Sequence, residues 1–364
     1  MIDYGFHLII ADPTPKALDE ELPQMVKRGI TSFKVYMTYD LLRLNDEQML
    51  DVLAAADREK ALVMVHAENH EMIKWITRKL LERGHGAPKF HMTAHHPIAE
   101  SEATNRVVSL SRLLDVPVLI VHVSGREAVQ TIRAAQTLGA RVLAETCPQY
   151  LFLKGSDADK PGLEGAKWCC SPPPRDEASQ EAVWQGLKDG TFQVLSSDHA
   201  PYRFDESGKL PKGDKTTFKD MANGVPGLQV RLPLLYSEGV RRKRLSLEEF
   251  VALTATNHAR MYGLAEKGKI EPGADADLAI WEPEKRVTLT ASMMKDNVGY
   301  TPYEGMTVTG WPTTVLSRGR TVVKDGNLLV GKGTGKFIAR GVPAPVAAAK
   351  LRDGPASILR KLIG

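Results

Sequence analysis

The segment ITSFKVYMTYD, residues 30–40, constrains the architecture more than any other part of the chain. Phe33 and Val35 favour a β-strand. Lys34 and Tyr36 place polar groups in the same short apolar run. Because helical patterns lie on both sides, we expect this strand to be buried in a parallel sheet. A buried ammonium group is costly unless it is paired, neutral or chemically modified. Lys34 is therefore expected to have a partner or a chemical role, and the alternative is a strand-end lysine that extends to solvent.

Strand-like runs alternate with helical patterns before residue 200. The runs lie at residues 4–10, 30–40, 61–69, 116–124, 141–148 and 192–201. This alternation is typical of βαβ units and predicts a parallel α/β sheet. A closed eight-stranded barrel needs two more strands, and we expect them upstream of Met1.

The pattern changes in the last third of the chain. From 268 to 330, short β-like runs alternate with turn signals, which predicts a small antiparallel β domain. Residues 347–364 are rich in Ala, Lys and Leu and are expected to form a surface arm or a subunit contact. We predict an N-terminally incomplete (β/α) barrel over 1–265, a β domain over 266–335 and a C-terminal arm over 336–364.

Composition narrows the class of protein. The chain has 364 residues, of which 43% are hydrophobic and 25% charged, as in ordinary globular proteins. The net charge of +4 comes without a basic–aromatic pattern, so no nucleic-acid partner is expected. Three cysteines provide no disulfide framework, which fits the cytoplasm. No apolar run reaches about 18 residues, so no membrane span is expected.

Four strand-like runs carry a residue that can bind a metal or ionise near the carboxyl end: Lys34, His66, His122 and Asp198. In a parallel barrel these strand ends meet at one face, where active sites lie. Imidazole nitrogens and a carboxylate suit zinc and similar metals. A neutral lysine amine near a metal can take up CO2, and the resulting carbamate has two oxygens that can bridge two cations. A single histidine at a strand end would more often be a hydrogen-bonded structural residue.

Several motifs occur in a characteristic order along the chain: FKVYMTY, VHAEN, VHVS, CSPPPR, SSDHAP, NGVPG and KGKIEPGADADLAIWEP. Together they resemble the dihydropyrimidinase/D-hydantoinase family of cyclic amidohydrolases over nearly the whole chain. The resemblance implies an amidohydrolase-type (β/α)8 TIM barrel, with its first strands missing from this chain, and a small β-sandwich domain. It also implies a centre of two zinc ions.

The resemblance assigns metal ligands by motif position. Lys34 corresponds to the carboxylated lysine that bridges both ions. His66 and His122 correspond to ligands of the second zinc. Asp198 corresponds to the aspartate that binds the first zinc and acts as general base.

The same resemblance assigns substrate contacts. Tyr39 corresponds to the tyrosine that hydrogen-bonds the substrate carbonyl and the oxyanion. Ser171 and Asn223 match positions whose main chain holds the substrate. The implied reaction is hydrolysis of a dihydropyrimidine or a 5-substituted hydantoin by a metal-activated hydroxide. The product is an N-carbamoyl amino acid, and a homotetramer is expected from the resemblance alone.

One family feature is absent from the sequence. The first metal of the family is held by a His-x-His pair on the first barrel strand, and residues 1–364 contain no such motif. His95 and His96 are adjacent and would point in opposite directions on a strand, so they are not expected to replace it. We expect them to be capping or surface histidines of a loop. Binding of the first metal, and with it catalysis, is expected to be impaired.

Two alternatives remain open at this point. One is an allantoinase- or dihydroorotase-like hydrolase, although the Lys34–Tyr39 spacing and CSPPPR favour the hydantoinase branch. The other is a non-catalytic scaffold like the dihydropyrimidinase-related proteins, which have lost metal ligands. Partner binding that survives mutation of all four candidate ligands would identify such a scaffold.

Overall fold

A six-stranded parallel sheet forms the larger part of the molecule. The computed structural model describes residues 1–348 together with Leu359 and Leu362. The strands follow one another in sequence order across the sheet, and every neighbouring pair is parallel. They are β1 (Leu8–Ile9), β2 (Ser32–Tyr36), β3 (Leu62–His66), β4 (Val118–Ile120), β5 (Val142–Thr146) and β6 (Val194–Leu195). The predicted set of six parallel strands is confirmed.

The first predicted strand is much shorter than expected. The sequence predicted a strand over 4–10, but β1 is limited to Leu8–Ile9. Tyr4 instead forms an isolated parallel bridge with Phe337 near the other end of the chain. The prediction was wrong here because the partner of Tyr4 is remote in sequence, which a local apolar pattern does not reveal.

Helices connect the strands and cover the sheet. The α-helices are α1 (Leu22–Lys27), α2 (Asp46–Glu59), α3 (His70–Glu82), α4 (Phe90–Ala94), α5 (Pro97–Leu114), α6 (Arg126–Thr137), α7 (Gln149–Phe152), α8 (Glu177–Lys188), α9 (Arg231–Leu235), α10 (Leu247–Val251), α11 (Asn257–Met261) and α12 (Ala344–Ala347). Turns of π-helix lie at Ala17–Glu21, Tyr236–Arg241 and Ala252–Thr256, and 3-10 turns at Gly155–Ala158, Glu164–Trp168, Gly213–Lys215 and Ala291–Met293. Among the described residues, every helix is too short or too polar to cross a membrane.

Local sequence explains how the longer helices begin and pack. Asn45 and Gln48 form a reciprocal capping box at the start of α2. Asn69 caps α3 by accepting a hydrogen bond from Met72 N. Met49 and Val52 lie on the buried face of α2, against the sheet, in the same core as β3. All five residues of β3 are buried, as expected for a central strand covered on both faces.

A separate antiparallel sheet of four strands lies in the C-terminal part. It consists of β7 (Leu278–Thr288), β8 (Thr307–Ser317), β9 (Arg320–Lys324) and β10 (Asn327–Leu328). Leu289 and Val308 pack against Val230 and Leu234 of the α9 region, which joins this sheet to the rest of the molecule. The predicted antiparallel β region is confirmed, although its first strand begins at Leu278 rather than near residue 268.

The C-terminal arm is described only in part. Residues 336–348 of the predicted arm 336–364 are described, and they include α12. The remainder lies outside the described residues, apart from Leu359 and Leu362. Domain boundaries at residues 265 and 335 remain a proposal.

Candidate metal centre

Four predicted metal ligands lie at one edge of the parallel sheet. Lys34 lies in β2, and His66 is the last residue of β3. His122 follows β4 by two residues, and Asp198 follows β6 by three. Because the strands are parallel, these carboxyl ends share an edge, so residues distant in sequence are brought together.

The backbone at this edge is strained. His122 has a φ of 44° and Asp198 a φ of 42°, and Tyr39 has a φ of 74°. Left-handed backbone is uncommon for residues other than glycine and costs free energy. Such conformations cluster at active sites, where the surrounding structure maintains them. Three of the seven sequence-predicted site residues therefore occupy conformations that stability alone would not favour.

The two histidines face each other at short range. The ring centroids of His66 and His122 lie 4.5 Å apart, with the rings nearly perpendicular. His122 Nδ1 is buried and has no hydrogen-bond partner among the described residues. Burial lowers the pKa of both histidines, that of His122 well below its usual value, so the imidazoles are neutral. A neutral ring with an unpaired nitrogen is the form that binds a metal ion, so this pair fits zinc.

Glu68 orients the His66 ring through a hydrogen bond. His66 Nε2 donates to Glu68 Oε2 at 2.8 Å, which leaves the Nδ1 lone pair of His66 available as a ligand. His95 Nδ1 contacts the other oxygen of Glu68 at 2.9 Å. Burial alone would raise the pKa of Glu68, but His95 and His66 lower it well below its usual value. The carboxylate is therefore ionised and fixes the orientation of the His66 ring.

The prediction for the adjacent histidines was half wrong. His96 is the N-cap of α5, and its Nδ1 accepts from Ile98 N, as expected for a capping histidine. His95 is buried and contacts Glu68, so it is not a surface residue. His91, which precedes it by one helical turn in α4, is also buried and hydrogen-bonds the Cys170 carbonyl at 2.8 Å. His91 and His95 are four residues apart, the spacing that places two side chains on the same face of a helix, and sequence reasoning missed this signal.

An additional carboxylate, Glu145, lies among the predicted ligands. It is buried in β5, where its pKa is raised to about 7 by burial, against the effect of Ser196 and Lys34. Burial also lowers the pKa of Lys34 to about 8, although Asp198 and Glu145 oppose this shift. Burial raises the pKa of Asp198. Sequence reasoning missed Glu145, yet RVLAETCP shows the same signal as Lys34, a charged residue within an apolar strand.

Tyr39 lies beside this group of ionisable residues. Its ring centroid is 5.2 Å from that of His66, and its hydroxyl is hydrogen-bonded with Ser171. Burial, reinforced by Glu68, raises the pKa of Tyr39, and the bond with Ser171 only partly opposes the shift. The hydroxyl therefore keeps its proton at neutral pH and can donate a hydrogen bond.

A cavity of about 470 Å³ opens next to Tyr39 and is lined by His91, His95 and Asn223, among others. Asn223 Oδ1 is buried and has no hydrogen-bond partner among the described residues. The Ser171 hydroxyl lies 3.4 Å from Nε2 of His91, which lines the cavity, so Ser171 is close to the same cavity. All three predicted substrate-contacting residues are thus close to one cavity beside the candidate ligands.

Comparisons with known proteins show which sequences and structures this chain resembles. The model of the Amidohydrolase family matches residues 15–322. The D-hydantoinase of Geobacillus stearothermophilus is 43% identical over 343 residues, which are 93% of this chain and 72% of that protein. The D-hydantoinase of Ralstonia pickettii is 38% identical over 341 residues, covering 93% of this chain and 74% of that protein. The crystal structure of dihydropyrimidinase from Brevibacillus agri superimposes with a TM-score of 0.90 at 40% identity, covering 94% of this chain and 74% of that chain.

Proposed function

Because this chain belongs to the amidohydrolase family, we propose that it hydrolyses the ring amide of a dihydropyrimidine or a 5-substituted hydantoin. Addition of one water across the ring C–N bond gives an N-carbamoyl amino acid. The observation that carries the proposal is the convergence of Lys34, His66, His122 and Asp198 at one sheet edge, with His122 Nδ1 buried and unpaired among the described residues. Names of the relatives supply the substrate class.

Lys34, His66, His122 and Asp198 would hold zinc. Bound zinc would supply Lewis acidity, which lowers the pKa of water and polarises a carbonyl. We further propose that Lys34 is carboxylated. With a pKa of about 8, part of its amine is neutral near physiological pH. That amine can add CO2 and release a proton, which converts a buried cation into an anion suited to pairing with metal ions.

Asp198 and Tyr39 would act on the reacting atoms. The raised pKa of Asp198 suits a carboxylate that accepts a proton from the attacking water and returns it to the leaving ring nitrogen. The protonated Tyr39 hydroxyl would donate to the carbonyl oxygen as negative charge develops on it. The main chain at Ser171 and Asn223 would hold the ring in place.

We propose how the four candidate ligands divide between two metal positions. His66 and His122 would serve the second position, and Asp198 with the shared Lys34 would serve the first. The four retained ligands support a hydrolase over a non-catalytic scaffold, because a scaffold has no need of an unpaired buried histidine nitrogen.

Two further features are proposed on a different basis. We propose a cytoplasmic location because Cys147, Cys169 and Cys170 are buried free thiols. A homotetramer is proposed from the family resemblance.

The test combines metal analysis with turnover. Protein purified without chelator should contain zinc, and addition of bicarbonate and zinc should increase hydrolysis of dihydrouracil or a 5-substituted hydantoin. His122→Ala should lose zinc, whereas His96→Ala, which removes only a helix cap, should retain it. Absence of zinc from the wild type, or absence of turnover by zinc-loaded wild type, would overturn the proposal.

A further inference from the structure

Lys209 is a buried lysine whose ammonium group is held by main-chain carbonyl groups. Its side chain is 0% exposed. Its Nζ donates to the carbonyl oxygens of Cys169 at 2.7 Å and Ala222 at 2.8 Å. Among the described residues, no carboxylate lies within ion-pair distance of it. A buried ammonium held only by carbonyls is costly, so its presence requires an explanation.

The two carbonyls belong to segments that flank the proposed substrate site. Cys169 precedes Ser171 by two residues, and Ala222 directly precedes Asn223. Lys209 itself lies in a third segment, where its backbone N–H donates to Arg203 O at 2.8 Å. One ammonium therefore joins three loop segments that are separate in sequence.

We call the meeting point of these three segments at Lys209 the junction, and other contacts also hold it together. Gly224 N donates to Cys169 O at 3.1 Å, so this carbonyl accepts from both Gly224 and Lys209. A Cβ at Gly224 would lie 2.4 Å from the Ala200 Cβ, so the segment packs directly against the chain that follows Asp198. Ala222 O, in contrast, receives its side-chain hydrogen bond from Lys209. Because Ala222 N also donates to Gly208 O at 3.4 Å, loss of the ammonium would leave the Ala222–Asn223 segment held by main-chain hydrogen bonds alone.

We propose that Lys209 is a positioning residue that fixes the spacing between the main chain at Ser171 and at Asn223, where the substrate ring is held. The inference rests on the proposed function, since it deepens the account of the same site. Main-chain contacts to a small ring tolerate errors of about 0.5 Å, and a displacement of about 1 Å can cost roughly 100-fold in rate. The role of Lys209 is distinct from that of Lys34, whose electrostatic partners are the carboxylates Asp198 and Glu145.

A side chain without N–H donors could not hold the junction equally well. An ammonium has three N–H donors that rotate freely, whereas methionine, which has a similar length, has none. Burial lowers the pKa of Lys209 to about 8, and the neutral amine still has two N–H groups for two carbonyls. The junction is therefore retained on either side of this pKa and fails only when the donors are removed.

The test uses zinc-loaded full-length protein and two lysine variants. Lys209→Met should raise KM at least 10-fold for the hydrolysed ring and leave the zinc content unchanged. Amide hydrogen exchange at Asn223 and Gly224 should become at least 10-fold faster. Lys267→Met is the matched control, because Lys267 also binds several oxygens but lies away from the site. It should lower Tm and leave KM unchanged.

The possible outcomes separate the two proposals. Unchanged KM and unchanged exchange in Lys209→Met, with only a lower Tm, would show a purely structural lysine and overturn the inference. If Lys209→Met does not fold, Lys209→Gln keeps one donor group and should show the same changes to a smaller extent. If the wild type hydrolyses neither ring, the proposed function fails. The exchange data then still decide whether Lys209 holds the two segments together.

Discussion

Lys267 and Lys209 lie in two regions of the molecule that surround an ammonium group with different partners. Lys267 lies at the seam between the N-terminal segment and the antiparallel sheet, where its Nζ contacts Asp3 at 2.7 Å, Asp275 at 2.8 Å and Asp277 at 2.6 Å. Burial alone would lower its pKa, but the three carboxylates raise it. Lys209 lies near the carboxyl edge of the parallel sheet and, within the part of the chain that the structure describes, its Nζ bonds only to carbonyl oxygens; burial lowers its pKa to about 8.

This difference indicates that the charged groups around Lys267 stabilise the fold, whereas those at the sheet edge serve the proposed chemistry. The three aspartates at the seam are close enough to surround a metal ion, but the ammonium of Lys267 already fills that position. At the sheet edge, Lys34, Glu145 and Asp198 are all shifted away from their ordinary pKa values. Shifts of this kind are typical of catalytic sites. We therefore expect substitutions at the carboxyl edge of the parallel sheet to change activity. Substitutions at Lys267 and its aspartate partners should change stability.

The largest effect on activity is expected from Asp198→Asn. Loss of the proposed general base should reduce kcat roughly 1,000-fold or more, because an amide cannot accept the proton. Asparagine tolerates the left-handed backbone of this position, so the fold should be retained and Tm should be equal or higher. The measurement is steady-state kinetics beside a thermal melt. Asp205→Asn, at a carboxylate that binds only its own loop, is the control. A variant that retains more than a tenth of wild-type kcat would contradict the assignment.

The next largest effect is expected from Tyr39→Phe. Removal of one hydrogen-bond donor to a developing oxyanion costs roughly 100-fold in kcat. Phenylalanine keeps the ring contact with His66, so zinc content should not change. The comparison variant is Tyr4→Phe, in which the tyrosine ring packs against Phe337 and contacts none of the candidate ligands. Equal kcat values for both variants would mean that Tyr39 only packs.

The pH dependence of stability should distinguish Lys209 from Lys267. Between its folded pKa of about 8 and its ordinary value of 10.5, Lys209 is deprotonated in the folded state but protonated in the unfolded state. The unfolded state then binds more protons, so the free energy of unfolding rises with pH across this window. The expected gain from pH 8 to pH 10 is about 2 kcal/mol. Urea unfolding of the wild type should show this rise, and Lys209→Met should show a flatter profile. Identical profiles would contradict the low pKa.

The smallest effect is expected at the seam. Lys267 has a raised pKa, so its contribution is fully present below the unfolded value of 10.5 and is lost only as pH rises through the folded pKa. Lys267→Met should lower the free energy of unfolding at pH 7 by about 1–2 kcal/mol, after allowance for solvent screening. Its kcat should equal that of the wild type. A large loss of activity would break the proposed separation between edge and seam.

Some parts of the architecture and the site could be predicted because they depend on local pattern. The six parallel strands follow from alternation of apolar runs and helices, and Lys34 stands out because an apolar strand rarely contains an ammonium group. Glu145 carries the same signal but lacks a motif resemblance, so it was overlooked. His95 was misassigned because its partner Glu68 is 27 residues away. The role proposed for Lys209 depends on carbonyl oxygens, which every residue has, so side-chain patterns cannot reveal it.

The left-handed backbone at Tyr39, His122 and Asp198 has a consequence for protein engineering. Glycine adopts this conformation without steric cost, so replacing any of these residues by glycine relieves strain. A library selected only for heat resistance would therefore tend to accumulate replacements at these three positions, and each such gain would remove a candidate catalytic or metal-binding group. Directed evolution of this enzyme should select for turnover in every round in which it selects for stability.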